Sequence, residues 1–299
     1  MPADGDAFGF ADDNNSAHMA RSFMLEDLQG LLAHVTDAAA GRAAYRHALV
    51  EENCLGKRSG QTRKLTHKHL RELYALDPTV PIFHALRYFW DRDPDGQPLL
   101  ALLCACARDS LLSASAPIVL NLPLGAPLPR VVMEEFLTSA FPNRFSPVTI
   151  ASIARNLLAT WTKTGHLSRK TNKVRAQAAA TPGATTYALY LGALLGGRGQ
   201  LLFDNPYAQL LDCPIAQRYD LAEMAARRNW LVLKRIGDVV EVNFPALVTM
   251  LCRAGAAAIT SGVSVDSKLK VMSFQISSAL LKAGDHFAAR ARISGPSFR

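Results

Sequence analysis

No run of apolar residues in this 299-residue chain approaches the ~20 needed to cross a bilayer, since Leu99 to Ala107 and Tyr187 to Leu195 are both too short. Cysteine is scarce and unpatterned. Cys54, Cys104, Cys106, Cys213 and Cys252 are odd in number and lack CxxC spacing, which suits reduced thiols packed as small apolar groups rather than disulfides or zinc ligands. Neither a structural metal nor a cofactor is expected. Aromatic residues make up only 8%, and abundant Ala and Leu favour helix packed on helix. The first residues, with Asp4, Asp6, Asp12 and Asp13, have neither the basic nor the apolar region of a secretory signal, so a cytoplasmic location and no membrane partner are expected.

Enzyme signatures are equally sparse. Gly56-Lys57-Arg58-Ser59 and Gly196-Gly197-Arg198-Gly199 lack the spacing of a phosphate loop. His67 and His69 diverge on a helix and cannot chelate one metal. Glu51-Glu52 and Glu134-Glu135 are adjacent acids that a helix turns about 100° apart, which does not make a general acid–base pair. No catalytic residue is assigned, and a non-enzymatic role is expected.

The chain reads as mainly α. Residues 1–20 read as a disordered acidic leader, 21–140 as a helical bundle domain, 141–253 as a helical domain with a winged-helix-like β-hairpin, and 254–299 as a flexible tail. Within the bundle, apolar periodicity predicts helices from Ser22, through Tyr45, Ala48 and Leu49, around Pro81 to Trp90, and over Leu99 to Leu112. Pro117, Pro123, Pro127 and Pro129 crowd 117–129, which is expected to be a non-helical connector. Ser146-Pro147, Thr181-Pro182 and Asn205-Pro206 each pair a capping side chain with proline at the first helical position. A helix over Ile215 to Asn229 then runs into Trp230 to Phe244, two short strands about a Gly237-Asp238 turn. In the tail, Phe274, Leu281 and Phe287 form an amphipathic pattern broken at Gly284.

Against these absences stands a basic excess. Lys plus Arg number 33 against 25 Asp plus Glu, for a net charge of +8 and a pI of 9.4, which favours polyanionic partners. Two clusters carry it. Lys57, Arg58, Arg63, Lys64, Lys68 and Arg71 lie in one segment; Lys64, Lys68 and Arg71 share a helical face, with Leu65, Leu70 and Leu73 expected to anchor it. Between Glu135 and Asp204 there is no acid at all, while Arg144, Arg155, Lys163, Arg169, Lys170, Lys173, Arg175 and Arg198 are present. The stretch His166 to Arg175 adds Ser168, Thr171 and Asn172 to its cations and reads as a flexible arm suited to phosphate and sugar oxygens. Lys234 and Arg235 would add contacts from the hairpin.

Glu51-Glu52-Asn53-Cys54-Leu55-Gly56-Lys57-Arg58-Ser59 with Thr62-Arg63, then Ala107-Arg108-Asp109-Ser110-Leu111-Leu112, then Phe145-Ser146-Pro147-Val148-Thr149 closed by Thr164-Gly165-His166-Leu167, resembles the BrxA family of bacterial BREX phage-defence systems. The match spans roughly residues 42–170, with a looser fit to about 250. The resemblance implies a small helical accessory protein that binds double-stranded DNA and has no known catalytic residues. It would work beside a methyltransferase, ATPases and a phosphatase-like protein. The acidic leader, the "TGHL" turn, the hairpin segment and the tail depart from the pattern. Two other readings use the same residues: a scaffold binding acidic partner proteins, and a winged-helix transcriptional regulator. RNA is an alternative ligand to DNA.

Overall fold

The structure, a computed structural model, describes residues 8–10, 16–169, 171–237 and 239–247. Residues 254–299 and Lys170 of the readings above lie outside them. The architecture is mainly helical, with two small antiparallel hairpins. In order come α1 (Leu25–His34), α2 (Arg42–Arg46, continuing as a π turn His47–Glu51), α3 (Gly60–Tyr74), α4 (Pro81–Trp90), α5 (Gln97–Arg108), α6 (Ser110–Leu120), α7 (Arg130–Ala140) and α8 (Pro147–Lys163). There follow the hairpin β1–β2 (Leu167–Ser168, Val174–Arg175), α9 (Pro182–Leu194), α10 (Pro206–Gln209), α11 (Ile215–Arg227) and the hairpin β3–β4 (Val232–Ile236, Val239–Asn243). No helix among the described residues is long and apolar enough to cross a membrane.

Two helices sit at the centre because they are apolar all round, and only burial on every side satisfies such a helix. In α5 every residue from Leu99 to Ala107 is buried, and in α9 every residue from Pro182 to Gly192. They pack on each other, and α4 lies against both. Tyr187 of α9 donates its hydroxyl to the Ile82 carbonyl at 3.1 Å. The buried apolar residues form one continuous cluster from Ala17 to Leu247. Asp93 ties its two halves together: it accepts from Thr181 Oγ1 at 2.6 Å and from the Ala184 amide at 3.2 Å, at the start of α9. Gly183 permits this approach, since a Cβ there would stand 2.4 Å from the Asp93 carboxylate.

The three cap-plus-proline starts form as the residues dictate. Ser146 accepts from the Thr149 amide, Thr181 from Ala184, and Asn205 from Tyr207 and Ala208. Other expectations need correction. The helix expected over Leu99 to Leu112 breaks at Asp109, whose extended backbone and carboxylate cap α6 through the Leu112 amide at 3.0 Å. Pro117 lies inside α6, so the connector begins only after Leu120. Residues 16–20 of the expected leader form a turn whose Ser16, Ala17 and His18 are buried, and the turn packs against α8.

That turn is held by a buried polar chain. Ser16 Oγ donates to Asp109 Oδ1 at 2.6 Å, and His18 reaches Asp109 Oδ2 through its amide at 3.2 Å and through Nδ1 at 2.9 Å. On the other side, His18 Nε2 lies 2.9 Å from Thr160 Oγ1 of α8, and Asn156 Nδ2 donates to the His18 carbonyl at 2.9 Å. Burial pushes the Asp109 carboxyl upwards, but the facing His18 ring, the Ser16 hydroxyl and the Leu112 amide outweigh it and hold the carboxyl below the ordinary aspartate range.

Removing a buried carboxylate leaves its enclosed donors unsatisfied, at a cost of about 1–3 kcal/mol each. Asp109→Asn is therefore expected to lose stability on that scale in urea unfolding. A depressed carboxyl also contributes stability above its unfolded pKa of about 3.9 that is lost as pH falls through its lower folded value. Wild type should lose this contribution in acid, and the variant should already lack it at neutral pH. Equal midpoints for the two at neutral pH would refute the role given to Asp109.

Candidate nucleic-acid interface

The fold divides the candidate cations into those it consumes and those it leaves to solvent. In the first cluster, Lys57 is held by Asp27 of α1 at 2.6 Å. Arg63 turns inward and donates to the Val50 carbonyl at 2.6 Å, with its Nε buried. Lys68 faces Glu72 one turn on, at 3.8 Å, and is otherwise exposed. Arg58, Lys64 and Arg71 are exposed and form no ion pair among the described residues. Leu70 and Leu73 anchor α3 as expected, but Leu65 is 38% exposed and belongs to the solvent face.

In the second cluster, Lys163 pairs with Glu26 at 2.5 Å. Glu26 and Asp27 are neighbours in the first turn of α1, so that turn binds one cation from each cluster. Arg155 is exposed on α8; among the described residues its one bond runs from Nε to the Ala151 carbonyl one turn back, at 3.4 Å. The stretch 166–175 is not a free arm. It folds as β1–β2 in the register Leu167↔Arg175 and Ser168↔Val174, and the tip carries Arg169 and Lys173. Lys173 Nζ donates to the Arg169 carbonyl at 3.1 Å, closing the tip, and partial burial lowers its pKa. Arg169 and Asn172 adopt positive φ, 68° and 51°, which turns the chain there.

Arg175 requires the clearest correction. Its side chain is 3% exposed, and its guanidinium grips Asp212 with two bonds, NH1 to Oδ2 at 2.7 Å and NH2 to Oδ1 at 2.5 Å. It cannot reach a phosphate. Planar two-point pairing with a carboxylate is what buried arginine does best, and here it locks β2 to the segment before α11. His166 lies in the same layer, with Nε2 at 3.0 Å from the Leu210 carbonyl and its ring edge-on to Trp161. Burial lowers its pKa to about 4, against an opposing pull from Asp212.

At the other hairpin, β3 and β4 pair in the register Val232↔Asn243 to Ile236↔Val239, as the alternation predicted. Lys234 faces Glu241 at 3.6 Å, and the Arg235 guanidinium stacks over Tyr219 of α11 at 4.9 Å. These cations are exposed but already engaged.

The structure also makes a juxtaposition that no local motif announces. Asp109, His18 and Thr160 stand in the order carboxylate, imidazole, hydroxyl, the connectivity of a nucleophilic triad. Thr160 Oγ1, however, donates to the Asn156 carbonyl at 3.0 Å and accepts from the Phe23 amide at 3.2 Å, and both His18 and Thr160 have zero exposure. The set clamps three segments together. Among the described residues no three His, Cys, Asp or Glu side chains gather in a way that could hold a metal. Burial raises the Cys104 thiol to about 11, which keeps it protonated and inert.

Compared with known proteins, the chain matches no family model and no curated sequence.

The distinction between consumed and free cations is measurable. Arg175→Gln should destabilise the fold by about 3–5 kcal/mol by stranding Asp212, whereas Arg155→Gln should leave unfolding within about 0.5 kcal/mol, as for other exposed positions. Matching unfolding midpoints for these two variants would contradict the assignment. The pH dependence adds a second check. Because the unfolded His166 binds a proton near pH 6.5 and the folded one only near 4, stability should fall as pH drops across that window. His166→Gln should flatten that part of the profile; an unchanged slope would contradict the burial assigned to the ring.

Proposed function

We propose that this protein is a non-catalytic DNA-binding subunit that acts in the cytoplasm, of the BREX accessory type, and holds duplex DNA through its phosphates. The observation that supports it best is the residue of unpaired charge. After Asp27, Glu26 and Asp212 have taken Lys57, Lys163 and Arg175, the exposed cations Arg58, Lys64, Arg71, Arg155 and Arg169 and the half-buried Lys173 have no acid within ion-pair distance among the described residues. Such a surface repels itself unless an anion covers it. The helix order ahead of β3–β4 is compatible with a winged-helix-like hairpin, but its Lys234 and Arg235 are already engaged by Glu241 and Tyr219 and stand behind the unpaired cations as DNA contacts. In the BREX setting, the partners would be the methyltransferase, the ATPases and the phosphatase-like protein.

The rival reading, an acidic protein partner, uses the same charges but responds differently to salt. Each neutralised phosphate adds about 0.9 to the negative slope of log affinity against log salt for duplex DNA. Replacing Lys64, Lys68 and Arg71 together by Gln should reduce that slope by about 2 to 3, and replacing Arg169 and Lys173 by about 2, equally on unrelated sequences. If wild type shows no duplex binding at low salt, or both variants keep the full slope, the surface serves a protein and the DNA reading fails.

A further inference from the structure

The strand pairing around β2 reveals an arrangement that the helix order alone does not. Residues 125–128, between α6 and α7, run alongside β2 on the edge away from β1. The Gly125 amide donates to the Arg175 carbonyl at 2.9 Å, the Arg175 amide to the Ala126 carbonyl at 2.8 Å, and the Leu128 amide to the Lys173 carbonyl at 2.8 Å, with Pro127 bridging Val174. The sequence of parts is thus helix α6, short strand, helix α7, helix α8, hairpin β1–β2, with the first strand paired to the second strand of the hairpin. α7 packs along α8, both touch α6, and Trp161 Nε1 fixes α8 to α6 through Ser115 Oγ at 2.9 Å. This is the wiring of a helix-turn-helix whose last helix is followed by a wing.

We propose that residues 110–175 are the DNA-reading unit, with α8 lying in the major groove, Arg155 contacting base edges, and the 169–173 tip acting as the wing on the adjacent backbone. The proposal rests on the DNA reading above and deepens it, because it assigns sequence discrimination to one helix.

The solvent face of α8 carries the argument. At about 100° per residue, Val148, Ser152, Arg155, Ala159 and Thr162 fall within one stripe, opposite the buried Ile153, Ala154, Leu157, Leu158 and Trp161; Val148 and Arg155 are exposed and the three small residues between and beyond them are half-buried. That stripe has no acid, and Val148 is 82% exposed. An apolar methyl pair and one unpaired guanidinium beside small side chains match what the groove offers: thymine methyls, guanine O6 and N7, and room for the helix backbone to approach. The acids of the unit, Glu134 and Glu135, sit on α7, where Glu134 pairs with Arg130 at 2.8 Å. The later candidate, α11 with β3–β4, has a similar element order but exposes Asp220 and Glu223 and pairs its hairpin lysine with Glu241. A phosphate-lined groove therefore favours the earlier unit.

The test uses the full-length chain. A photoreactive phenylalanine analogue is placed at Ser152, at Thr171 in the wing, or at Ile236 in the other hairpin, and each protein is irradiated with a duplex selected by wild type from a random pool. Crosslinks from position 152 to bases and from 171 to the flanking backbone are expected, with little from 236. Arg155→Gln, checked for an unchanged unfolding midpoint, should lose roughly tenfold in affinity for the selected duplex and much less for an unrelated one. If wild type binds duplex but the selected pool stays random, or position 152 does not crosslink, or Arg155→Gln keeps the selectivity, the assignment of α8 is wrong while phosphate binding stands. Absence of any duplex binding at low salt overturns both.

Discussion

The Asp109 carboxylate is the constraint on which the arrangement depends. It is 1% exposed and accepts hydrogen bonds from Ser16, His18 and the Leu112 amide, so it both starts α6 and fastens the turn at 17–19. Through His18 and Thr160 the same contact reaches α8, and through Trp161 and Ser115 α8 returns to α6. A buried carboxylate is tolerated only when its lone pairs are filled, so α6, α8 and the turn must be in place together. The helix that presents Arg155 to solvent is positioned by this closed circuit, supported by residues distant in sequence.

The same economy of charge governs the surface. Three of the clustered cations are each taken by an acid from another segment: Lys57 by Asp27, Lys163 by Glu26 and Arg175 by Asp212. These pairs join elements far apart in the chain, and the buried one, Arg175 with Asp212, fixes β2 beneath the hairpin tip. A preorganised basic surface binds a polyanion with less loss of conformational entropy, which is consistent with the proposed duplex ligand.

Much of the fold was legible from residues alone. The prolines after Ser146, Thr181 and Asn205 marked helix starts because capping is local chemistry, decided within three residues. The β3–β4 hairpin followed from alternation about a glycine turn. Most of the misreadings concern residues whose state is set by partners distant in sequence. Arg175 looks like any member of a basic run until Asp212, 37 residues later, claims it. His18 and Ser16 look like polar leader residues until Asp109 supplies their acceptor. Pro117 was read as a helix breaker, and the structure places it inside α6. The face of α8 was legible in principle, since its buried stripe implies the opposite one, but the pairing of 125–128 with β2 was not, because so short a strand leaves no periodicity.

The account stands on the claim that the unpaired cations, and not the braced ones, meet DNA. Hydrogen–deuterium exchange of the full chain with and without a duplex tests it in one experiment, since contact and ordering slow exchange locally. The account expects added protection along residues 147–163, at the 166–175 hairpin and around 57–71, with the buried helices α5 and α9 unchanged. Protection confined to 215–243, or none in any exposed basic segment while the duplex is bound, would contradict it.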